Sequence, residues 1–97
     1  MNLAYSHIFH SSTLWGGHLF TGDTIEINGM NITLKRNHIF LKEFYSISIP
    51  LTNIVNVKVI KHRSGADILV ESQSQNFFFS KGYRYTAACR IKQLLIQ

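Results

Sequence analysis

Five histidines, one cysteine and five carboxylates are the side chains of this chain that could carry chemistry. His7, His10 and His18 crowd the amino-terminal stretch "SHIFHSSTLWGGH" and invite a metal site. His7 and His10 would share a face if that stretch were helical. No cysteine or carboxylate stands beside them at ligand spacing, so ordinary hydrogen-bonded histidines are the simpler reading, with no metal and no cofactor expected. Nucleophilic catalysis needs a nucleophile, a base and an orienting group brought together. Cys89 has Arg90 and Lys92 close in sequence, charges that favour thiolate, but no base is assigned to it. A small enzyme built on Cys89 or a histidine pocket therefore stays an alternative only. Asp23, Glu26, Glu43, Asp67 and Glu71 form no pairing suited to acid–base work, and Gly16-Gly17 lacks the Lys-Ser/Thr sequel of a phosphate cradle.

Binding surfaces are what remain. Net charge is +5, and every Lys and Arg lies after residue 34, where ten bases face three acids. Such a half favours anionic partners, nucleic acid or phospholipid headgroups, although five excess charges also serve plain solubility. The candidate anion ligands are Lys35 and Arg36 in one turn, and Lys58, Lys61, His62 and Arg63 on or beside another, with Lys81 and Arg84 able to join them. Protein interaction or self-association is the leading function expected. Alternation along "NFFFSKGY" buries Phe77 and Phe79 and leaves Phe78 outside, while Ile60 faces away from the Val55–Val59 series. Ile60 and Phe78 would then make an apolar contact patch.

The elements that must position these groups are mostly strands. Ninety-seven residues with 45% hydrophobic content suit one compact domain. "TIEI-NG-MNITLK" reads as a hairpin around Asn28-Gly29, with Met30, Ile32 and Leu34 sharing a face. Lys35-Arg36-Asn37 turns the chain into "HIFLKEFYSISI". Pro50 cannot donate to a ladder and marks a corner, with Leu51 and Ile54 plugging the core on either side. Val55, Val57 and Val59, then "ADILVES", then "NFFFSK" supply further strands between short turns, an antiparallel meander over 24–80. Residues 1–22 keep no clean period and are expected to pack irregularly on the sheet. From 82 to 96 the apolar spacing becomes helical through Tyr83, Ala87, Ala88, Ile91, Leu94 and Leu95, with Ser80 or a neighbour as its cap. One such helix cannot cover a long flat sheet. A strongly bent antiparallel sheet, or a partly open barrel, capped by this single carboxy-terminal helix is the expected mainly-β fold.

"SIPLTNIVNVKV" and "NFFFSKGYRYTAACRIKQLL" resemble the proline corner, valine-rich strand and final strand-to-helix passage of bacterial members of the pleckstrin-homology-like and GRAM-like superfamily. The likeness covers roughly residues 24–96 of what reads as a single domain over 1–97. It implies seven strands, of which about six are evident here, and a non-catalytic binding role toward phosphoinositides, peptides or protein surfaces. Lipid-binding members carry a basic cluster between their first two strands, and the Asn28-Gly29 turn has no basic residue. The amino terminus lacks the basic start and apolar run of a secretory signal. No apolar run approaches the roughly 20 residues of a membrane span, and a lone cysteine forms no internal disulfide. A cytoplasmic location is the expectation that follows.

Overall fold

A computed structural model describes residues 6–38, 44–74 and 76–96. Seven strands precede one helix: β1 (Ser6–His10), β2 (Thr21–Asn28), β3 (Asn31–His38), β4 (Phe44–Pro50), β5 (Ile54–Lys61), β6 (Ala66–Ser72), β7 (Phe77–Tyr83) and α1 (Tyr85–Leu95). They form two antiparallel sheets, β1-β2-β3-β4 and β5-β6-β7, each ordered as in the sequence. The expected meander is therefore present, as a bent, unclosed arrangement with one helix at its end. None of the described helices is long and apolar enough to cross a membrane.

Alternation builds the core. Ile25 and Ile27 on β2, Ile32 and Leu34 on β3, and Ile49 on β4 face inward from the first sheet. Val57, Ile68, Val70 and Phe78 face them from the second. The helix closes the assembly with Ala88 and Ile91, both fully buried, while Leu94 and Leu95 pack partly against the same cluster. Burying a side chain such as Ile91 contributes roughly 1.5–3 kcal/mol, so this short stripe holds the helix down. Pro50 ends β4, and a 3₁₀ turn at Leu51–Asn53, closed by Ile54 N–H donating to Leu51 O, makes the corner, which Leu51 N–H ties to Met30 O at 2.8 Å. Leu51 and Ile54 pack on the core from both sides of it, as the sequence predicts.

Several local expectations are corrected. The 1–22 segment contains β1, which pairs with β2 from Ser6↔Asn28 to His10↔Thr24 and supplies the seventh strand. In that strand His7 and His10, an odd number of residues apart, lie on opposite faces. The β2–β3 connection is centred on Gly29-Met30. Asn28 Oδ1 accepts the amides of Met30 and Asn31, both at 2.8 Å, and Gly29 keeps a negative φ. Met30 therefore stands 76% exposed at the tip rather than beside Ile32. Lys35, Arg36 and Asn37 do not turn the chain; β3 runs through them to His38, with Arg36 opposite Tyr45. The helix begins at Tyr85, with Arg84 before it and no side-chain cap, so Ser80 has a different task.

Two register shifts explain the largest errors. Val55 is the extra residue between Ile54↔Ser72 and Asn56↔Glu71, and it is thrown outward. Gly82, at φ +96, is the extra residue between Lys81↔Asp67 and Tyr83↔Ala66. A bulge inverts the alternation beyond it. Counting back from buried Tyr83 would bury Phe77 and Phe79, but the inserted glycine reverses that parity. Phe78 is 3% exposed, whereas Phe77 and Phe79 are 61% and 38% exposed. Phe78 cannot serve in a surface patch.

A candidate binding cleft beside β7

Strand alternation that buries Ile25 and Ile27 also places Asp23 on the inner face, only 4% exposed. A carboxylate there requires partners. Its cross-strand neighbour Arg36 supplies a two-pronged contact, Nε to Oδ1 at 2.7 Å and Nη2 to Oδ2 at 2.9 Å. From the other sheet, the Ser80 hydroxyl donates to Oδ2 at 2.5 Å. Having given its only proton to the carboxylate, Ser80 Oγ accepts from the Tyr83 hydroxyl at 2.6 Å. Arg36 Nη2 also donates to Phe79 O at 2.8 Å, tying β3 to β7. The Asp23 hydrogen bond is the main reason that the Arg36 guanidinium holds its proton above its ordinary range. Burial pushes the Tyr83 phenol well above its ordinary value of 10.0, against the opposing Ser80 hydrogen bond.

A second polar cluster fixes the start of β6. Asp67 Oδ1 accepts from His62 Nε2 at 2.9 Å and from the Gly82 amide at 3.3 Å. His62 Nδ1 faces the N–H groups of Ser64 at 3.3 Å and Gly65 at 3.2 Å, which assigns the ring proton to Nε2. The loop after β1 folds over this corner. Ser12 N–H donates to Gly82 O at 2.8 Å, and a side chain on Gly16 would strike the His62 ring.

The six basic residues singled out from the sequence are divided between the two sheets and the turn after β5. Lys35 and Arg36 belong to the four-stranded sheet, Lys35 lying 3.8 Å from Glu26 Oε1 and Arg36 being bound to Asp23. Lys58 and Lys61 are exposed on β5, with Lys61 Nζ 4.8 Å from the centre of the Tyr85 ring. His62 is held by Asp67, and Arg63 stands exposed in the following turn. Of the apolar pair, Ile60 is exposed as expected and Phe78 is not. Asp23 and Ser80 were missed, although the spacing Asp23-x-Ile25-x-Ile27 places a carboxylate on a buried face.

The Arg36–Phe79 contact lies at a cleft of about 380 Å³, lined among others by His18, Arg36, Tyr45, Phe77, Phe79 and Lys81. A neighbouring cleft of about 330 Å³ shares His18 and Arg36 and adds Phe20 and His38. None of the described residues lining either cleft is acidic. Tyr45, at 49% exposure, joins the two phenylalanines as an accessible ring, and a third of the Arg36 side chain remains in solvent. Volumes of this size suit a small ligand or a segment of a larger one. The cleft under α1, about 360 Å³, is of mixed lining, with Ile27, Leu51, Leu94 and Leu95 beside His7, Asn28 and Thr52.

Among the described residues no three His, Cys, Asp or Glu side chains gather closely enough to hold a metal ion. Cys89 is half-buried on α1, one turn beyond Tyr85. In comparisons with known proteins, no family model, no curated protein and no solved structure matches the chain.

Proposed function

We propose that this chain is a non-catalytic binding module of the pleckstrin-homology-like kind that holds an anionic partner at the cleft beside β7. The single observation that carries the reading is the outward placement of Phe77 and Phe79 next to Lys81, Arg36 and His18, with no described carboxylate lining the cleft. Four strands, three strands and a terminal helix support the resemblance drawn from sequence. Support for a binding role over a catalytic one comes from Asp23, Ser80, His62 and Asp67, whose hydrogen bonds serve to join strands and loops. A lipid headgroup is the weaker choice, because the loop between the first two strands, "SSTLWGGHLF", contains no Lys or Arg. One cysteine in 97 residues suits a reducing, intracellular setting.

Titration with inorganic polyphosphate, followed by amide chemical shifts, tests the reading. Shifts should concentrate at Arg36, Phe79 and Lys81, weaken steeply as salt rises, and diminish in Lys81→Glu. Shifts that are absent, or confined to Arg63 and Lys61, would overturn it.

Self-association is a second reading, favoured by Val55 at 59% and Ile60 at 44% exposure on β5. Light scattering should then show a dimer that Ile60→Glu dissolves. A monomer at every concentration removes this reading.

A further inference from the structure

We infer that the anionic partner is a single-stranded nucleic acid, laid along β7 with its bases on Phe77 and Phe79. The inference rests on the anionic-partner reading above and adds the chemistry of the aromatic rings. Cations alone would suit any polyanion. Exposed rings at Phe77, Phe79 and Tyr45 call in addition for flat apolar faces, and nucleotides offer a phosphate and a base face at every repeat.

The sheet sets the spacing. Residues 77, 79 and 81 project from the same side of β7, successive side chains about 6.8 Å apart along the strand. Two aromatic rings are thus followed by a lysine in one row. Across the ladder, Phe79 lies opposite Leu69, and Leu69 opposite Lys58, so an exposed cation stands on the same face two strands from the second ring. Two acids share this face: Asp67, opposite Lys81, is buried and accepts from His62 and Gly82, while Glu71, opposite Phe77, accepts from the neutral Asn56 amide at 2.8 Å. The phosphates are therefore expected on the Lys81 and Lys58 side of the rings. A chain-wide excess of five positive charges adds attraction at longer range.

The same geometry argues against an acidic peptide added as another strand. Phe79 O is occupied by Arg36 and Gly82 O by the Ser12 amide, so strand addition along this edge would displace bonds the protein makes to itself. A duplex is disfavoured too, since its base faces are stacked inside. Stacking on exposed rings requires an open strand.

Fluorescence anisotropy of the full chain tests this with four labelled probes: an oligothymidine dodecamer, an abasic dodecamer with the same phosphates, a duplex of equal length, and an oligoglutamate dodecamer. The oligothymidine is expected to bind about tenfold more tightly than the abasic strand, with Phe77→Ala removing most of that advantage. Phe77 is 61% exposed, so this variant keeps the core, and circular dichroism of the same sample verifies it. Lys81→Glu should weaken the oligothymidine and abasic strands alike and flatten the salt dependence. Equal affinity for oligothymidine and abasic strands, or an affinity indifferent to Phe77→Ala, overturns base stacking and leaves anion capture standing. Tighter binding of the duplex or of oligoglutamate overturns the single-strand assignment in favour of that class. Failure to bind all four probes overturns this inference and the proposed function together.

Discussion

Ser80 stands 57 residues from Asp23 in sequence and 2.5 Å from it in space, donating its hydroxyl proton across the gap between the two sheets. Both residues are buried, and the contact joins β2 of one sheet to β7 of the other. Replacing Ser80 with alanine leaves the Asp23 Oδ2 atom short of one donor and the Tyr83 hydroxyl without its acceptor. The expected loss is about 1–3 kcal/mol in urea unfolding. Ser80→Thr, which retains the hydroxyl, should recover part of it. An alanine variant as stable as the parent would mean that this link contributes nothing.

Asp23 and Arg36 make the ionic half of the same cluster. Removing either partner strands the other, and Asp23 is the more deeply buried of the two. Asp23→Ala should cost about 2–4 kcal/mol, somewhat below a wholly buried pair because Arg36 keeps a third of its side chain in water. The double variant Asp23→Ala/Arg36→Leu should be more stable than the sum of the two single losses, since neither charge is then left alone. Strict additivity in the unfolding free energies would show that the two side chains act separately.

The three consecutive phenylalanines give a direct test of the β7 register. Phe78 packs in the core opposite Val70, and its replacement by serine should cost about 3–5 kcal/mol, enough to unfold a small domain. Phe77→Ser, at a position 61% exposed, should move the thermal midpoint little. If the two variants change places in a melting experiment, the alternation is the one expected without the bulge.

That reversal marks how far the sequence could be read. Thr24–Ile27, Asn31–Leu34, Ile47–Ile49 and the 85–95 helix were legible because their apolar periods run unbroken over a whole element. The Pro50 corner was legible because a missing amide has few places to go. Strand β1 was hidden by its histidines, which occupy positions where a pattern reader looks for alternating polarity. The faces of Val55 and Phe77–Phe79 were illegible for a different reason: each depends on one inserted residue whose partner lies on another strand. The polar cluster suffered similarly. Asp23, Arg36 and Ser80 carry no common motif, and only the packing of two sheets brings them together.

Gly82 is the residue on which the β7 parity turns. Its φ of +96 is a backbone region that L side chains rarely adopt. A methyl group there would also lie 2.5 Å from Gly17 N and 2.8 Å from Ser12 O. Gly82→Ala should therefore cost about 2–4 kcal/mol, through strain in the bulge and displacement of the 12–17 loop. The loop reports its own position, because it carries Trp15, the single tryptophan of the chain, stacked 4.8 Å from the Arg84 guanidinium. A red-shifted Trp15 emission at temperatures where circular dichroism is still native would show the loop released before the sheets melt. Unchanged emission and stability would mean that the bulge tolerates a side chain, and the close packing of Gly17 on Gly82 would be refuted.

Tyr83 makes alkaline pH a further probe of the polar cluster. Its phenol is held above the ordinary value of 10.0, chiefly by burial, with the Asp23 charge acting in the same direction. Below about pH 10 the folded and unfolded chains both keep this proton, and Tyr83 adds no pH dependence. Above it the unfolded chain releases the proton first and therefore binds fewer protons than the folded one. Stability must fall as pH rises, by about 1.4 kcal/mol per pH unit until the folded phenol also ionises. Tyr83→Phe should lose about 1 kcal/mol at neutral pH with the Ser80 hydrogen bond, yet decline less steeply in the alkaline limb. The two stability curves should converge as pH climbs, measured by urea unfolding at closely spaced pH values. Parallel curves through the tyrosine range would place the Tyr83 hydroxyl in water, and the hydrogen-bonded chain from Tyr83 through Ser80 to Asp23 would not exist.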